Sequence, residues 1–413
     1  MLSSADPIPF ARPFIGKEEE EAVLAVLRSG WLTTGKETLE FEKEFENFLL
    51  DEKNGKEALR CMAVNSATSG LHLALEAIGV QKGGLVLLPS MTFTASAEVA
   101  RYLGAEVVFV DVSRNSFHMD PAALEKTLER LNQDLPAYEW RNGSGPRGKA
   151  AAIMPVHYGG LPCDMDAIVK IAEKHNLRVI EDAAHSFPSI TKNGEFAGTM
   201  GDAGVFSFYA TKTITTGEGG MLVTRNKALA DRIKIMRSHG MDRGAWNRYI
   251  DIKASWYYEV IEPGFKYNLP DLLSALGRVQ LRRAMDLLSM RQEIARRYDE
   301  AFSPDRHFSV PPTGLGDARH LYPLRLNLEE LSIGRNEFAE KIKEQGIGIS
   351  VHFIPLHIMP YYKKRYSLSG EDFPETLKTY SRTISLPIWP GMTSSQIDRV
   401  IAVVKNLGSE YTE

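Results

Sequence analysis

Apolar runs and amphipathic segments alternate along the chain between residues 60 and 240. The segments between the runs, such as MDAIVKIAEKHN and NKALADRIKIMRSHG, place apolar residues at helical spacing. Strands that are apolar almost throughout are typical of a parallel sheet covered by helices on both faces. The pattern therefore predicts an α/β fold with a mostly parallel central sheet, with strands in LVLL (85–88), EVVFVDV (106–112), AAIMPV (151–156), LRVIED (177–182), VFSF (205–208) and GMLVT (220–224).

The pattern changes after about residue 275. A long charged helical segment, GRVQLRRAMDLLSMRQEIARRYDEAF, leads into a strand-like HLYPLRLNL, a helix over 335–346 and a final helix after Ser394. This order is typical of a smaller α+β unit. We therefore predict a large domain over residues 1–275 and a small C-terminal domain over residues 276–413.

Composition and charge narrow the classes of function. The 413 residues are 43% hydrophobic and 25% charged, which is ordinary for a globular protein. The net charge of −4 gives no basic field, so we expect neither a nucleic acid nor an anionic membrane as partner. No apolar run approaches the ~18 residues that a membrane span needs. Two cysteines are typical of a reducing compartment, and MLSSADPIPF lacks the features of a signal peptide, so we expect a cytoplasmic protein.

Three common ligand motifs do not fit this chain. Residues 30–36, GWLTTGK, resemble the start of a phosphate-binding P-loop, but Glu37 stands where that loop needs Ser or Thr, and no apolar strand precedes Gly30. No GxGxxG follows a strand, which argues against a Rossmann dinucleotide site. The histidines and cysteines show no metal-ligand spacing, so we predict no metal site.

Two residues at strand ends suggest covalent cofactor chemistry. Lys212 follows the apolar run VFSF in a turn rich in Thr and Gly. A lysine near a buried strand end loses solvation, so its pKa falls. Such a lysine is a nucleophile that forms Schiff bases. Asp182 ends another apolar run, at the strand edge where ligands of α/β sheets bind. A protonated pyridine nitrogen is a cation that would suit this carboxylate, as in pyridoxal 5′-phosphate (PLP). Taken alone, Lys212 is also compatible with a lysine in a surface turn, and Asp182 with the cap of the following helix.

A phosphate site is the third part of this pattern. Ser66, Thr68, Ser69 and Gly70 stand directly before an apolar helix. Free backbone N–H groups and hydroxyls at a helix start bind anions, although the same residues also make an ordinary helix cap. A lysine, an aspartate and a phosphate cradle in three separate βα units together indicate a PLP site.

The order of these blocks resembles a known family. RPFIGKEEEEAVLAVLRSGWLTTG, NSATSGLHLAL, PSMTFTAS, GAEVVFVDV, IMPVHYGG, VIEDAAHS, FSFYATKTITTGEGGMLVT and GFKYNLPD are similar to blocks of the DegT/DnrJ-type nucleotide-sugar aminotransferases, from about Phe10 to the C-terminal helix. The resemblance implies a PLP-dependent transferase fold of the aspartate aminotransferase type. It also implies transfer of an amino group from glutamate to a keto group, most similar to enzymes that aminate a UDP-4-keto-pentose or a dTDP-4-keto-6-deoxyhexose.

The resemblance also implies roles for single residues. Lys212 matches the catalytic lysine that binds PLP covalently, and Asp182 matches the partner of the pyridine nitrogen. His185 matches a residue near the phenolic oxygen of the cofactor, and Phe93 matches the aromatic residue stacked on its ring. The residues that match phosphate ligands are Thr68, Ser69, Ser207 and Asn268.

Asn268 matches a residue that reaches the phosphate from the neighbouring subunit, so the resemblance implies a homodimer with shared active sites. For the nucleotide sugar we expect contacts around Thr34 and His352, and the basic residues Arg243, Arg248 and Lys253 are further candidates for the diphosphate. His352 and the basic stretch are also compatible with solvated loops.

Two other functions fit the same cofactor. Some relatives are PLP-dependent sugar dehydratases, but these have histidine where this chain has Lys212. A non-catalytic PLP-binding regulatory protein would need no turnover, and intact cofactor residues argue against it without excluding it.

Overall fold

The computed structural model describes residues 6–50, 59–138, 145–242, 257–314 and 316–413. Residues 51–58 and 139–144, in two polar stretches of the sequence, lie outside these ranges. The predicted basic residues Arg243, Arg248 and Lys253 also lie outside the described residues. No helix in the described ranges is long and apolar enough to cross a membrane.

A seven-stranded sheet forms the centre of the fold. Its spatial order is β1-β7-β6-β5-β4-β2-β3. β7 runs antiparallel to β1 and β6, and every other neighbouring pair is parallel. The strands are β1 Arg60–Val64, β2 Leu85–Pro89, β3 Glu106–Val110, β4 Ala150–Ile153, β5 Arg178–Asp182, β6 Ala203–Ser207 and β7 Gly220–Thr224. The predicted mostly parallel α/β sheet is confirmed, and the apolar pattern missed only β1 among these strands.

Helices cover both faces of this sheet, which is why its strands are apolar almost throughout. Two clusters of buried side chains pack against the sheet, with Leu87 and Phe109 in the first and Phe45 and Phe206 in the second. The helices up to residue 302 are α1 Lys17–Ser29, α2 Lys36–Leu49, α3 Ala67–Ala77, α4 Thr94–Tyr102, α5 Pro121–Asn132, α6 Met165–Lys174, α7 Lys227–Met236, α8 Asp271–Arg282 and α9 Ala284–Phe302.

A second sheet of three antiparallel strands lies in the C-terminal part of the chain, in the order β10-β9-β8. Its core is a separate cluster that also contains Ile8 from the N-terminal segment. The predicted division at residue 275 stays a prediction, and helix α8 runs through that position. The remaining elements are β8 Phe308–Ser309, β9 Tyr322–Leu326, α10 Arg335–Glu344, α11 Pro360–Tyr366, α12 Pro374–Arg382, β10 Thr383–Leu386 and α13 Ser394–Glu410.

One buried carboxylate attaches the start of α2 to the start of α8. Asp271 is 3% exposed, and its Oδ1 accepts hydrogen bonds from the backbone N–H of Gly35 at 2.6 Å and of Thr38 at 3.0 Å. Its Oδ2 accepts from the N–H of Glu37 at 3.1 Å. The first N–H groups of a helix have no partner within the helix, so Asp271 caps α2 from 236 residues away. The segment that carries Thr34 is fixed in this way.

We expect Asp271→Ala to lower the free energy of unfolding by about 2–4 kcal/mol, because it leaves several buried N–H groups without an acceptor. Urea denaturation followed by fluorescence measures the loss. Asp286→Ala is the matched control, since Asp286 lies exposed on the neighbouring helix α9 and should change stability little. Equal effects of the two substitutions would contradict the role of Asp271.

Candidate active site

Lys212 lies in a turn, five residues after the end of β6. Its backbone N–H donates to the carbonyl of Tyr209 at 2.9 Å, which closes the turn. Two threonines that follow it hold the loop by hydrogen bonds to the backbone. Thr213 Oγ1 donates to the carbonyl of Phe187, and Thr215 Oγ1 donates to the carbonyl of Phe208 at 3.0 Å. Because these hydroxyls are buried and bonded to backbone, the partly buried side chain of Lys212 is attached to a rigid turn.

Asp182 is the last residue of β5 and is 5% exposed. Its Oδ2 accepts from Ser96 Oγ at 2.7 Å, and its Oδ1 accepts from the N–H of Ala184 at 3.1 Å. Burial raises the pKa of Asp182, while these two donors and the positive charge of Lys212 act to lower it. The carboxylate is therefore available to a cation placed against it.

Burial lowers the pKa of Lys212 to about 8, against the opposing attraction of Asp182 and with a smaller contribution from the buried cation Arg291. The pKa of an unperturbed lysine is about 10.4. A substantial fraction of Lys212 is therefore neutral near physiological pH, and only the neutral amine attacks a carbonyl carbon.

The start of α3 lies beside the start of β7. Ser66 caps the helix by accepting from the N–H of Ser69 at 3.1 Å. A Cβ at Gly220 would lie 2.9 Å from the backbone nitrogen of Ala67, so only glycine lets β7 approach this helix start so closely. Thr68 lies in the first turn of α3, and Ser207 ends β6 next to β7. This helix start, with hydroxyls around it, is suited to bind an anion.

Aromatic and histidine rings form the other walls. His185 Nδ1 accepts from the N–H of Gly159 at 3.2 Å, which assigns the ring proton to Nε2. Its ring stacks on Phe353 with 5.7 Å between centroids, and Phe353 also contacts Phe93. His352 stacks on Phe10, and its Nδ1 lies 2.9 Å from Ser385 Oγ.

Burial lowers the pKa of three histidines near Lys212: that of His352 to about 4, and those of His185 and His320 well below their usual range. All three are therefore neutral at physiological pH. The charges of Asp182 and Arg291 act on the reactive amine, and Asp182 is the buried carboxylate that can pair with an incoming cation.

A single cavity of about 440 Å³ connects these groups. Seven of the predicted site residues line it together: Lys212, Asp182, His185, Phe93, Thr68, Ser207 and His352.

Three predicted site residues, Ser69, Asn268 and Thr34, do not line this cavity. Ser69 is buried and its hydroxyl donates to Asn65 Oδ1 at 2.7 Å. Asn268 Nδ2 donates to Thr34 Oγ1 at 2.6 Å, so these two residues pair with each other. Among the described residues, Asn268 Oδ1 is buried without a hydrogen-bond partner. Their predicted contacts with cofactor or substrate stay predictions.

Sequence patterns missed several residues of the site. Ser96, which holds the carboxylate of Asp182, lies one helical turn after Phe93, and that spacing is the only local signal for it. His320 lines the cavity from the loop before β9, with its Nδ1 buried and unpartnered among the described residues, and nothing in its neighbouring sequence marks it. Phe10 and Phe353 join the cavity from distant parts of the chain.

The cavity fits PLP in three respects. A buried carboxylate, a lysine whose pKa is lowered and an anion-binding helix start share one space. The amine can bind an aldehyde, the carboxylate can hold a protonated ring nitrogen, and the helix start can hold a phosphate. The fold and this site define a PLP-dependent transferase.

Comparison with known proteins identifies the family. A profile described as the DegT/DnrJ/EryC1/StrS aminotransferase family matches residues 13–405, and the chain belongs to this family. It is 42% identical over 404 residues to the spore coat polysaccharide biosynthesis protein SpsC of Bacillus subtilis, covering 97% of each chain. It is also 42% identical over 405 residues to an uncharacterized protein of Methanocaldococcus jannaschii, covering 98% of each.

Solved structures agree with the assignment. The putative sugar aminotransferase Spr1654 from Streptococcus pneumoniae, in its PMP form, matches with a TM-score of 0.85 at 29% identity, covering 98% of this chain and 99% of that chain. Helicobacter pylori PseC, an aminotransferase involved in pseudoaminic acid biosynthesis, matches with a TM-score of 0.84 at 27% identity, covering 98% and 100%. The predicted family, PLP cofactor and sugar aminotransferase class are confirmed.

The lowered pKa of Lys212 predicts a pH profile for its reactivity. In cofactor-free protein treated with trace acetic anhydride, acetylation of Lys212 should rise about tenfold per pH unit at low pH and reach half its maximum near pH 8. Asp182→Asn should shift the half-point to lower pH, because the carboxylate stabilises the ammonium form. Mass spectrometry of the peptide measures both. A half-point near the ordinary lysine value would contradict the desolvated site.

Proposed function

We propose that this sugar aminotransferase takes its amino group from glutamate and delivers it to a 4-keto group of a UDP- or dTDP-linked sugar. The observation that carries the proposal is the shared cavity of about 440 Å³, which contains Lys212 and Asp182 and is within the size range of small-molecule sites. SpsC is named for polysaccharide biosynthesis and PseC for pseudoaminic acid biosynthesis, which supports a sugar acceptor of this kind.

PLP, when bound, supplies an aldehyde that condenses with amines and a ring that accepts the electron pair released when the substrate carbon loses its proton. We propose that Lys212 holds the cofactor through Nζ and moves the proton. With a pKa of about 8, its Nζ is suited both to accept and to donate a proton near neutral pH. Asp182 would hold the proton on the pyridine nitrogen.

The other cavity residues would orient the reactants. His185 carries its proton on Nε2, so it is a hydrogen-bond donor toward an oxygen such as the phenolic oxygen of the cofactor. The exposed ring of Phe93 provides a stacking surface at the cavity wall. Thr68, Ser207 and the start of α3 would hold the phosphate, and His352 would contact the sugar or its diphosphate.

We also propose a homodimer in which each active site uses residues of both chains. The pair Thr34–Asn268 supports it, because both residues lie outside the cavity of their own chain while Asn268 Oδ1 is buried without a partner among the described residues. In a dimer with shared sites, Asn268 would reach the phosphate of the neighbouring subunit. The cytoplasm stays the predicted location.

Lys212→Ala should remove transamination while leaving the fold intact. We expect the rate of 2-oxoglutarate formation from glutamate to fall by a factor of about 10³ or more, because both the covalent attachment and the proton transfer depend on this amine. Lys227→Ala is the control, since Lys227 is exposed at the start of α7 and pairs with Asp231. Borohydride reduction should attach a phosphopyridoxyl group to position 212 only. Near-normal turnover of Lys212→Ala would refute the mechanism.

Hybrid dimers test the shared site. Asn268→Ala and Lys212→Ala chains, each inactive alone, are unfolded, mixed and refolded together. Random pairing makes half of the dimers hybrids. If Asn268 serves the neighbouring site, each hybrid has one intact site of two, so activity should return to about a quarter of that of the unmodified enzyme. No recovery from a mixture that contains dimers would contradict the shared geometry.

The acceptor is tested in the reverse direction. The PLP-loaded enzyme is mixed with a panel of UDP- and dTDP-linked aminosugars, and pyridoxamine phosphate formation is followed by absorbance. We expect 4-amino sugars linked to one of these nucleotides to react, and the same sugars without the nucleotide to react poorly. Equal rates with free aminosugars would refute the nucleotide-sugar proposal but not the transaminase itself.

A further inference from the structure

A second polar cavity lies apart from the active site. It has a volume of about 190 Å³ and shares no lining residue with the larger cavity. Its wall combines the loop after β3, which carries Asn115, with the small sheet and helix α12. The loop is attached to α12 because Asp111 Oδ1 accepts from the N–H of Thr376 at 2.8 Å. The cavity therefore lies where the large sheet unit meets the small sheet.

Arg325 brings a positive charge to this cavity, and no ion pair to it is present among the described residues. It lies on β9 between Leu324 and Leu326, which are both fully buried in the core, so its side chain points to the opposite face of the sheet. Its Nε is buried, and among the described residues no hydrogen bond or ion pair reaches its guanidinium. A guanidinium whose Nε is buried without an acceptor is unfavourable.

Two further cations face the same space. Arg382 lies at the end of α12, and its Nε is also buried without a partner among the described residues. Burial lowers the pKa of Arg325, and the nearby positive charge of Arg382 lowers it further. Lys378 lies one turn earlier on the same helix, at the exposed rim of the cavity. Like charges that are brought together in this way repel each other unless an anion lies between them.

The acidic residues nearby do not neutralise this cluster. Glu329 accepts from Arg382 Nη2 at 3.1 Å, but its side chain is 69% exposed and it does not line the cavity. Glu375 is the single carboxylate in the described wall, against three cations. The wall also presents Ser309, whose backbone is in register with Arg325 on the neighbouring strand. The balance of charge is positive.

We propose that this cavity is a binding site for a phosphate-type oxyanion, held by the guanidinium groups of Arg325 and Arg382 with Lys378 at its rim. Guanidinium groups bind such anions through two parallel hydrogen bonds, which would satisfy both buried Nε atoms. The cavity has room for several water-sized groups beyond a single phosphate, so the phosphate can be free or carried by a small ester. This site is independent of the proposed transamination.

Equilibrium dialysis with radiolabelled inorganic phosphate tests the site. The PLP-loaded enzyme is used, because its cofactor phosphate already fills the anion site at the start of α3. We expect one phosphate bound per chain. In both Arg325→Gln and Arg382→Gln the affinity for phosphate should fall by a factor of about ten or more, since each variant loses charged hydrogen bonds. Arg296→Gln is the control, because Arg296 is an exposed arginine of α9 paired with Glu293 and Glu300, and its binding should be unchanged.

Competition distinguishes the two sources of the anion. If glucose 1-phosphate displaces the label at a lower concentration than unlabelled phosphate does, an ester is the preferred ligand. If it displaces the label only at a higher concentration, free phosphate is the preferred ligand. Both results support the site. Stoichiometric binding that neither arginine substitution weakens would overturn the proposal, as would no binding at millimolar phosphate. Circular dichroism and cofactor absorbance of each variant establish that it is folded and loaded.

Discussion

The electrostatic pairing of Lys212 with Asp182 in a space largely removed from water is the constraint around which the site is built. Burial alone lowers the pKa of the lysine and raises the pKa of the aspartate, since both lose solvation of their charged forms. Each partly restores the charge of the other, so the pKa of Lys212 falls only to about 8. That value keeps the amine both nucleophilic and able to carry a proton at physiological pH.

The sheet topology provides this pairing. β5 and β6 are parallel neighbours, so Asp182 and the turn after Ser207 leave the sheet at the same edge. The antiparallel β7 returns from that turn and begins at Gly220, whose missing side chain lets the start of α3 lie against it. The amine, the carboxylate and the anion-binding helix start are thus brought together by three adjacent connections rather than by long flexible loops.

Much of the chemistry was predictable because it depends on local sequence. The apolar runs identified six of the seven strands of the main sheet, and parallel strands place their carboxyl ends at one edge. Lys212, Asp182, Phe93, His185, Thr68 and Ser207 were assigned from their positions at such ends and from the family resemblance, and the structure lines one cavity with them. β1 was missed because RCMAV begins with a charged residue and follows a polar stretch, so it lacks a clear strand boundary.

The amino-acid sequence by itself determined the α/β class and indicated the PLP chemistry, because these follow from short apolar runs and from residue types at their ends, and the resemblance of its sequence blocks indicated the family. Only the tertiary structure decided which distant residues complete the site. Ser96 on Asp182, the stacked His185 and Phe353, and Asp271 at the start of α2 all join elements that are far apart in the chain. Arg325, which has no partner in the part of the chain that the structure describes, is another such case. Local periodicity indicates which face of a strand is buried, but it does not indicate which charge of another segment lies opposite.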